Sequence, residues 1–114
     1  MKTFEAMAAQ GDVMLRRIKE LPEGLVAAAA ENGAFILAHS ETGHHHVVME
    51  RPDVKLYTDP IDQFRAFLNV QDAPAELTHQ RDFDTHETLC IPPGIYEVRR
   101  QREYVAEGFR RAQD

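Results

Sequence analysis

The chain has 114 residues, of which 43% are hydrophobic and 28% are charged, and its formal net charge at pH 7 is −6. This length and composition are those of one globular domain, residues 1–114, with enough apolar residues for a core that needs no stabilising disulfide or metal. The negative charge argues against a nucleic-acid-binding protein, since phosphate contacts require a surplus of lysine and arginine, and no apolar run approaches the ~20 residues that cross a bilayer.

Two further features bear on where the protein works. The N-terminal residues lack the apolar segment of a cleaved secretion signal. Cys90 is the single cysteine, so an internal disulfide framework is excluded. Together with the absence of a long apolar run, these features predict a cytoplasmic protein that does not bind membranes.

The N-terminal part of the chain contains short segments of different character. Residues 1–10 are rich in helix formers and are expected to form a short helix or a loose arm. Residues 11–18 predict a strand that begins after a glycine. Pro22 and Gly24 then predict a turn.

The next segment carries a hairpin signal. Asn32-Gly33 lies between the alanine-rich residues 26–30, which fit either a strand or a helix, and the apolar residues 34–38. Asn-Gly between two apolar runs is the strongest short sequence signal for a β-hairpin. We therefore expect a hairpin here.

The second half of the chain alternates short apolar segments with turn residues. Strands are predicted at residues 44–50, 54–58 and 64–70. The last segment also fits a helix, but its alternating apolar residues favour a strand. Residues 71–87 form the longest polar stretch and are expected to be a loop. Residues 88–104 predict a strand, a Pro-Pro-Gly turn and a long final strand.

The spacing of these elements indicates the fold class. About six to eight short strands, with turn signals every eight to twelve residues, are typical of a small antiparallel barrel or sandwich. No strand–helix alternation, phosphate-binding glycine loop or CxxC pair is present. The sequence thus predicts an all-β domain, with helix confined to the termini.

Three consecutive histidines begin the strand predicted at residues 44–50. Because alternate side chains of a strand point to the same face, His44 and His46 would share one face while His45 points to the other. His44 and His46 would lie ~6.6 Å apart along the strand, a separation from which two imidazoles can bind one ion. Neutral imidazole is a ligand for zinc, iron, nickel and manganese, so the pair predicts a site for one divalent transition metal.

A metal site needs further ligands. His86, before the strand that follows the polar stretch, is expected to be the third ligand, and Glu50 and His79 are further candidates. Glu50 and Glu87 are the candidate general bases if the metal activates a substrate. The same histidines also fit a polar pocket without metal, or a solvated strand that discourages edge pairing.

The spacing of His44, His46 and Glu50 resembles the first motif of the cupin family, in which small barrels bind a metal through histidines and a glutamate. Pro92 to Gly94 resembles the PxG turn of the second cupin motif. The histidine that the family places three residues after this glycine is here Glu97. The resemblance implies a metal-binding barrel of cupin-like size in which His86, before the turn, replaces the histidine after it.

A broader resemblance covers nearly the whole chain. The segments QGDVMLRRI, TGHHH, THETLCIPPGIYEV and QREY resemble a family of small uncharacterised bacterial and phage proteins with a GHxH segment, a later histidine, a PPGxY turn and a terminal QREY. This resemblance implies no activity. It selects Gly43, His44, His46, His86, Pro93, Gly94, Tyr96, Gln101, Arg102, Glu103 and Tyr104.

Arginines concentrate at the C-terminal end of the chain. Arg99, Arg100 and Arg102 lie in the final predicted strand and are candidates for binding an anion. The alternative is that they pair with neighbouring glutamates on a solvated strand.

Three functions remain open from the sequence, and it does not decide whether the protein is an enzyme. The first is a β-barrel protein whose histidine-lined pocket binds a divalent metal and a small-molecule ligand. The second is a non-catalytic structural or interaction protein, of phage or mobile-element origin, that forms a symmetric homo-oligomer. The third is an anion-binding module that uses the C-terminal arginines.

Overall fold

The computed structural model describes residues 2–38, 45–79 and 88–100. Within these ranges the chain forms eleven β-strands and no helix. In chain order the strands are β1 (Lys2–Thr3), β2 (Met7–Gln10), β3 (Val13–Ile18), β4 (Val26–Ala27), β5 (Ala34–Ala38), β6 (His46–Met49), β7 (Val54–Thr58), β8 (Arg65–Val70), β9 (Ala75–His79), β10 (Leu89–Ile91) and β11 (Gly94–Arg100).

The strands form two sheets that pack as a sandwich. The five-stranded sheet has the order β1-β10-β9-β6-β5, and the six-stranded sheet has the order β2-β3-β11-β8-β7-β4. Neighbouring strands are antiparallel except for β1 and β10, which are parallel. The prediction of an all-β fold is confirmed, and the arrangement is an open sandwich rather than a closed barrel.

Strand alternation explains which residues form the core. On β8, Ala66, Leu68 and Val70 pack between the sheets, and on β11 Tyr96 and Val98 do the same. Side chains of a strand point alternately to its two faces, so the residues between these positions lie on the outer face of the six-stranded sheet. The core of the described residues lies between the two sheets.

The chain changes sheets at both sides of the sandwich. Strands β1 and β2 lie at edges of different sheets and are joined by residues 4–6. On the other side, β4 and β5 also lie at edges of different sheets and are joined by residues 28–33. Next to the first crossing, β2 of the six-stranded sheet lies close enough to the five-stranded sheet for Gln10 to reach the carbonyl of Leu77, which matters for the site described below.

The N-terminal residues form strands, so the expected helix or loose arm at residues 1–10 is wrong. Strand β2 pairs with β3 from Met7 opposite Arg16 to Gln10 opposite Val13. This pairing gives the segment backbone hydrogen bonds to a neighbouring strand. A helix of this length would be only marginally stable on its own. It also buries Gln10, which is 2% exposed.

The Asn32-Gly33 turn is present, but the expected hairpin is not. Both residues have positive φ, 54° and 79°, as a type I′ turn requires. A single bridge, Glu31 to Ala34, closes the turn. Strand β4, which precedes the turn, pairs instead with β7 in the other sheet, so the turn redirects the chain between sheets.

The polar stretch at residues 71–87 contains a strand, so its expectation as a continuous loop is wrong. Strand β9 pairs with both β6 and β10 inside the five-stranded sheet. Ala75, Leu77 and His79 are buried, while Glu76 between them is exposed. Residues 80–87 lie outside the described residues.

Among the residues that the structure describes, there is no helix that could cross a membrane.

Candidate functional site

Two histidines from neighbouring strands stack between the sheets. His46 is the first residue of β6, His79 is the last residue of β9, and their Cα atoms are direct partners. The ring centroids are 4.2 Å apart and the ring planes differ by 3°. His46 is 7% exposed and His79 is 8% exposed.

The position of each ring follows from strand alternation. His46 has the same parity on β6 as Val48, and His79 has the same parity on β9 as Leu77. Val48 and Leu77 are core residues that are also paired with each other. The two rings therefore continue an inward-facing row of the five-stranded sheet and replace aliphatic side chains at one end of it.

Gln10 joins the six-stranded sheet to this pair. Its amide Nε2 donates a hydrogen bond of 2.8 Å to the backbone carbonyl of Leu77, and its Oε1 lies 2.8 Å from Nδ1 of His46. Because the amide nitrogen is the donor to Leu77, Oε1 is the acceptor from His46 and Nδ1 carries the proton. In the neutral ring, Nε2 of His46 then carries the lone pair.

All six histidines of the chain lie in residues 39–46 and 79–86. These two segments contain the ends of β6 and β9 where the rings stack. His45 precedes β6 and is partly buried. His39, His44 and His86 lie outside the described residues, so the expected grouping of His44, His46 and His86 is not described by the structure.

The stacked arrangement limits how the pair can bind a metal. A histidine nitrogen binds an ion in the plane of its ring, at ~2.0–2.1 Å for zinc. Two parallel rings at this separation have no common in-plane position, so one ion can bind only one of the two rings while they stack. Across residues 2–38, 45–79 and 88–100, no group of three potential metal-binding side chains is assembled.

The acidic candidates are placed differently from the histidines. Glu50 follows β6 at the end opposite to His46, and its backbone nitrogen donates to the carbonyl of Gly33. Four residues of extended chain separate it from His46 by about 13 Å, and it is exposed. The structure therefore does not bring Glu50 to the stacked pair. Glu87 lies outside the described residues.

The arginine candidates lie on different faces of β11. Arg99 has the parity of Glu97 and contacts it on the outer face, with its Nε 3.7 Å from the carboxylate. Arg100 has the parity of Tyr96 and Val98, which are core residues, so its side chain starts on the inner face. Arg102 lies outside the described residues.

Glu97 organises a charged network on the outer face of the six-stranded sheet. It is 5% exposed and accepts hydrogen bonds from Arg16 at 2.9 Å and from Arg65 at 2.8 Å. Burial by itself raises the pKa of the Glu97 carboxyl, but the hydrogen bonds from Arg16 and Arg65 and the charge of Arg99 outweigh it, so this pKa is lowered. The position at which a cupin carries a histidine thus holds a structural carboxylate.

The Pro-Pro-Gly turn and Tyr96 form a structural clamp. The Tyr96 hydroxyl donates to the carbonyl of Pro92 at 2.6 Å and accepts from Arg17 at 2.9 Å. Arg17 also donates to the carbonyls of Pro93 and Glu5. The PPGxY segment therefore fixes the turn between β10 and β11 to the N-terminal residues.

Gly94 gives this clamp the space that it needs. A Cβ at this position would overlap the Arg17 guanidinium. The glycine of the PPGxY segment therefore lies in close contact with the end of the Arg17 side chain, which would have to shift to admit a larger residue.

Residues 9–101 match the family described as Domain of unknown function (DUF8820). The chain belongs to this family. Membership agrees with the sequence resemblance to a family without an assigned activity, and the match includes all the histidines. No curated protein and no solved structure matches the chain.

Two residues of the site in this family member had little sequence signal. Gln10 lies in a segment that sequence patterns assign to a helix or arm, and its contact with His46 spans 36 positions. His79 was a secondary candidate within an expected loop. The signal that finds it is the alternation of Ala75, Leu77 and His79, which places this histidine on the buried face of a strand.

Proposed function

We propose that the protein binds one divalent transition-metal ion at the end of the sandwich that carries His46 and His79, with Nε2 of His46 as one ligand. The hydrogen bond between Nδ1 of His46 and Gln10 is the observation that carries this proposal. Metal-binding histidines almost always donate their other ring N–H to an acceptor, which orients the ring and fixes its tautomer. Gln10 supplies that acceptor.

The distribution of histidines supports the same proposal. Residues 39–46 and 79–86 hold every imidazole of the chain, and short histidine-rich tracts are typical of metal binding. We propose His44 and His86 as the other imidazole ligands, in the manner that the cupin resemblance implies for the His44–His46 pair. His79 stacks on His46 and restricts the rotation of its ring.

The test is a titration of purified protein, prepared without a histidine-affinity step, with zinc and with nickel by isothermal calorimetry. We expect one site per chain. His46→Ala should weaken the affinity at least tenfold, because it removes a ligand. His45→Ala is the matched control: the residue is adjacent, it precedes the strand, and it should leave the affinity within about twofold of the parent.

Two results would contradict the proposal. Equal losses in His46→Ala and His45→Ala would indicate a nonspecific histidine cluster rather than an ordered site. Retention of full affinity in His46→Ala, with the circular dichroism spectrum unchanged, would show that His46 is no ligand. His46→Gln, which keeps a polar side chain next to Gln10, guards against loss of binding through misfolding and should bind as weakly as His46→Ala.

A further inference from the structure

We propose that two copies of the chain associate through the open edge of β2, which pairs antiparallel with its own copy around a twofold axis beside Ala8. The two six-stranded sheets then continue into each other. The proposal goes beyond metal binding and does not depend on it, because it rests on the backbone of β2 and on the side chains of Met7 and Ala9.

Among the described residues, four strands lie at sheet edges, and β2 is the longest of them whose edge is not blocked. Strands β1 and β4 have two residues each. Strand β5 has five, but its first residue, Ala34, exchanges two backbone hydrogen bonds with Glu31, and its register with β6 shifts after Ile36, as at a bulge. Very short strands, bulges, charges and prolines protect sheet edges from pairing with other chains. Strand β2 has four residues in continuous register with β3, and none of them is charged or a proline.

The hydrogen bonds between β2 and β3 determine which backbone groups face the open edge. The backbone nitrogen of Arg17 donates to the carbonyl of Ala6, and the register of the two strands places these residues opposite each other. Opposite residues in an antiparallel pair alternate between pairs that exchange hydrogen bonds and pairs that do not. Ala6 and Ala8 therefore direct their N–H and C=O groups to β3, whereas Met7 and Ala9 direct theirs away from it. Within residues 2–38, 45–79 and 88–100, no strand pairs with this outer edge.

A twofold axis beside Ala8 brings these outward groups together. Met7 of one copy then lies opposite Ala9 of the other, and each such pair exchanges two hydrogen bonds. Ala8 lies opposite its own copy in a pair that exchanges none, which agrees with the direction of its backbone groups to β3. The hydrogen-bonding phase that β3 imposes on β2 is therefore the phase that pairing of β2 with itself requires.

The side chains of β2 are also complementary to their own copy. Met7 and Ala9 point to the outer face of the sheet, because Ala8 between them packs against the core. Met7 is 55% exposed and Ala9 is exposed as well. In the proposed pair each methionine lies beside the small alanine of the other copy, with ~4.5–5.5 Å between the Cβ atoms of opposite residues. A twofold interface requires a patch that is complementary to itself, and this alternation of a long and a small apolar residue favours a second copy over a different protein.

The interface is small, so we expect a weak and reversible dimer. Two strands of this length cover less than the ~800 Å² per partner of a stable complex, and two copies with a formal charge of −6 each repel each other. The uncharged edge of β2 keeps this repulsion out of the contact itself. Because salt screens the repulsion, the association should tighten with added salt, whereas a contact made by ion pairs would weaken.

Sedimentation velocity of the full chain, at a series of protein concentrations and with a chelator present, measures this association without metal bridging between histidines. We expect a monomer–dimer equilibrium. Met7→Lys should weaken it about tenfold or more, because a lysine on an edge strand opposes pairing. Met49→Lys is the matched control: Met49 is 62% exposed on the outer face of the other sheet, on a strand that is not at an edge, and this variant should dimerise as the parent does.

Two further variants test the strand pairing itself. Ala9→Pro removes an N–H that points away from β3, so its monomer should keep the circular dichroism spectrum of the parent while its dimer is weakened. Ala9→Glu is mixed with Met7→Lys, because the proposed register places the glutamate of one variant opposite the lysine of the other. We expect the mixed dimer to be tighter than the homodimer of either variant.

Several results would each overturn the proposal. A parent that stays monomeric at millimolar concentration has no such interface. Equal weakening in Met7→Lys and Met49→Lys indicates general association of exposed apolar residues. If Ala9→Pro folds and dimerises as the parent does, the backbone of β2 is not the contact. If the mixture of Met7→Lys and Ala9→Glu associates no more tightly than the separate variants, the register centred on Ala8 is wrong.

Discussion

The imidazole rings of His46 and His79 lie parallel, 4.2 Å apart, where β6 and β9 end side by side. The stack fills the end of the core with two rings that each replace an aliphatic side chain. It also holds both rings so that they cannot bind the same ion. In the proposed metal site, one ion can therefore take only one ring of the pair, and the hydrogen bond with Gln10 favours His46.

Replacing Gln10 tests this selection. Gln10→Leu removes the acceptor for Nδ1 of His46 and the donor to the Leu77 carbonyl, both buried. We expect the free energy of unfolding to fall by about 1–3 kcal/mol, the cost of leaving buried polar groups unsatisfied. The zinc affinity of the folded variant should fall roughly 10- to 100-fold, as for other residues that orient a ligand.

Gln71→Leu is the control for Gln10→Leu. Gln71 is exposed in the turn after β8, so this variant should keep both its stability and its zinc affinity. Urea denaturation and calorimetry measure the two quantities. Unchanged zinc affinity in Gln10→Leu would mean that the tautomer of His46 does not matter to the site.

The Tyr96 clamp makes a prediction about stability alone. Tyr96→Phe removes the hydroxyl that donates to Pro92 and accepts from Arg17, and we expect a loss of about 1–2 kcal/mol of unfolding free energy. Tyr57→Phe, on the outer face of the sheet, should cost less than half of this. Urea denaturation measures the free energy of unfolding of both variants. Equal losses in Tyr96→Phe and Tyr57→Phe would show that the hydrogen bonds of the Tyr96 hydroxyl add no particular stability.

The Glu97 network predicts how stability depends on pH. Although burial alone raises the pKa of this carboxyl, Arg16, Arg65 and Arg99 together lower it. A carboxyl with a lowered pKa in the folded state stabilises the protein fully above its unfolded pKa, and this stabilisation is lost as the pH falls through the folded pKa. At pH 7 we expect Glu97→Gln to be less stable than the parent by about 1–2 kcal/mol, because its partners are partly exposed.

The difference between the parent and Glu97→Gln should narrow as the solution is acidified below the ordinary range of a glutamic acid. Thermal denaturation at a series of pH values measures it. Glu76→Gln, at an exposed position of β9, should show no such dependence. If the stability difference between the parent and Glu97→Gln instead widened in acid, the arginines would not be stabilising the ionised carboxylate of Glu97.

The sequence predicts those strands whose residues alternate locally. Val54–Thr58 is a strand with the predicted bounds, and Arg65–Val70 differs from its predicted start by one residue. In both, the apolar residues that face the core recur at every second position and turn residues bound the segment. In these two strands the local pattern agrees with the tertiary packing, so a single sequence is sufficient to predict them.

Strand β9 was not predicted because few of its residues are apolar. Only Ala75, Leu77 and His79 face inward, and one of these is polar. The segment lies in a long polar stretch that contains Pro74, so its composition resembles that of a loop. The strand exists because β6 and β10 pair with its two edges, and β6 is distant from it in sequence.

The site combines contacts that no local pattern contains. The parity of His46 within its strand was predictable, since it depends only on alternation. Its partners were not: Gln10 reaches it from the other sheet, and His79 stacks on it because β6 and β9 are neighbours. Sequence reasoning favoured His86 because it precedes the next predicted strand, while the strand that holds His79 was not predicted.

The measurement that tests the metal proposal most directly is the ¹⁵N NMR spectrum of the histidine rings, with and without one equivalent of zinc. Before zinc is added, we expect Nδ1 of His46 to carry a proton, as its hydrogen bond to Gln10 requires. Zinc should then shift the Nε2 resonance of His46 while Nδ1 keeps its proton. A His46 ring protonated at Nε2, or an Nε2 resonance unmoved by zinc that binds elsewhere on the chain, would contradict the account.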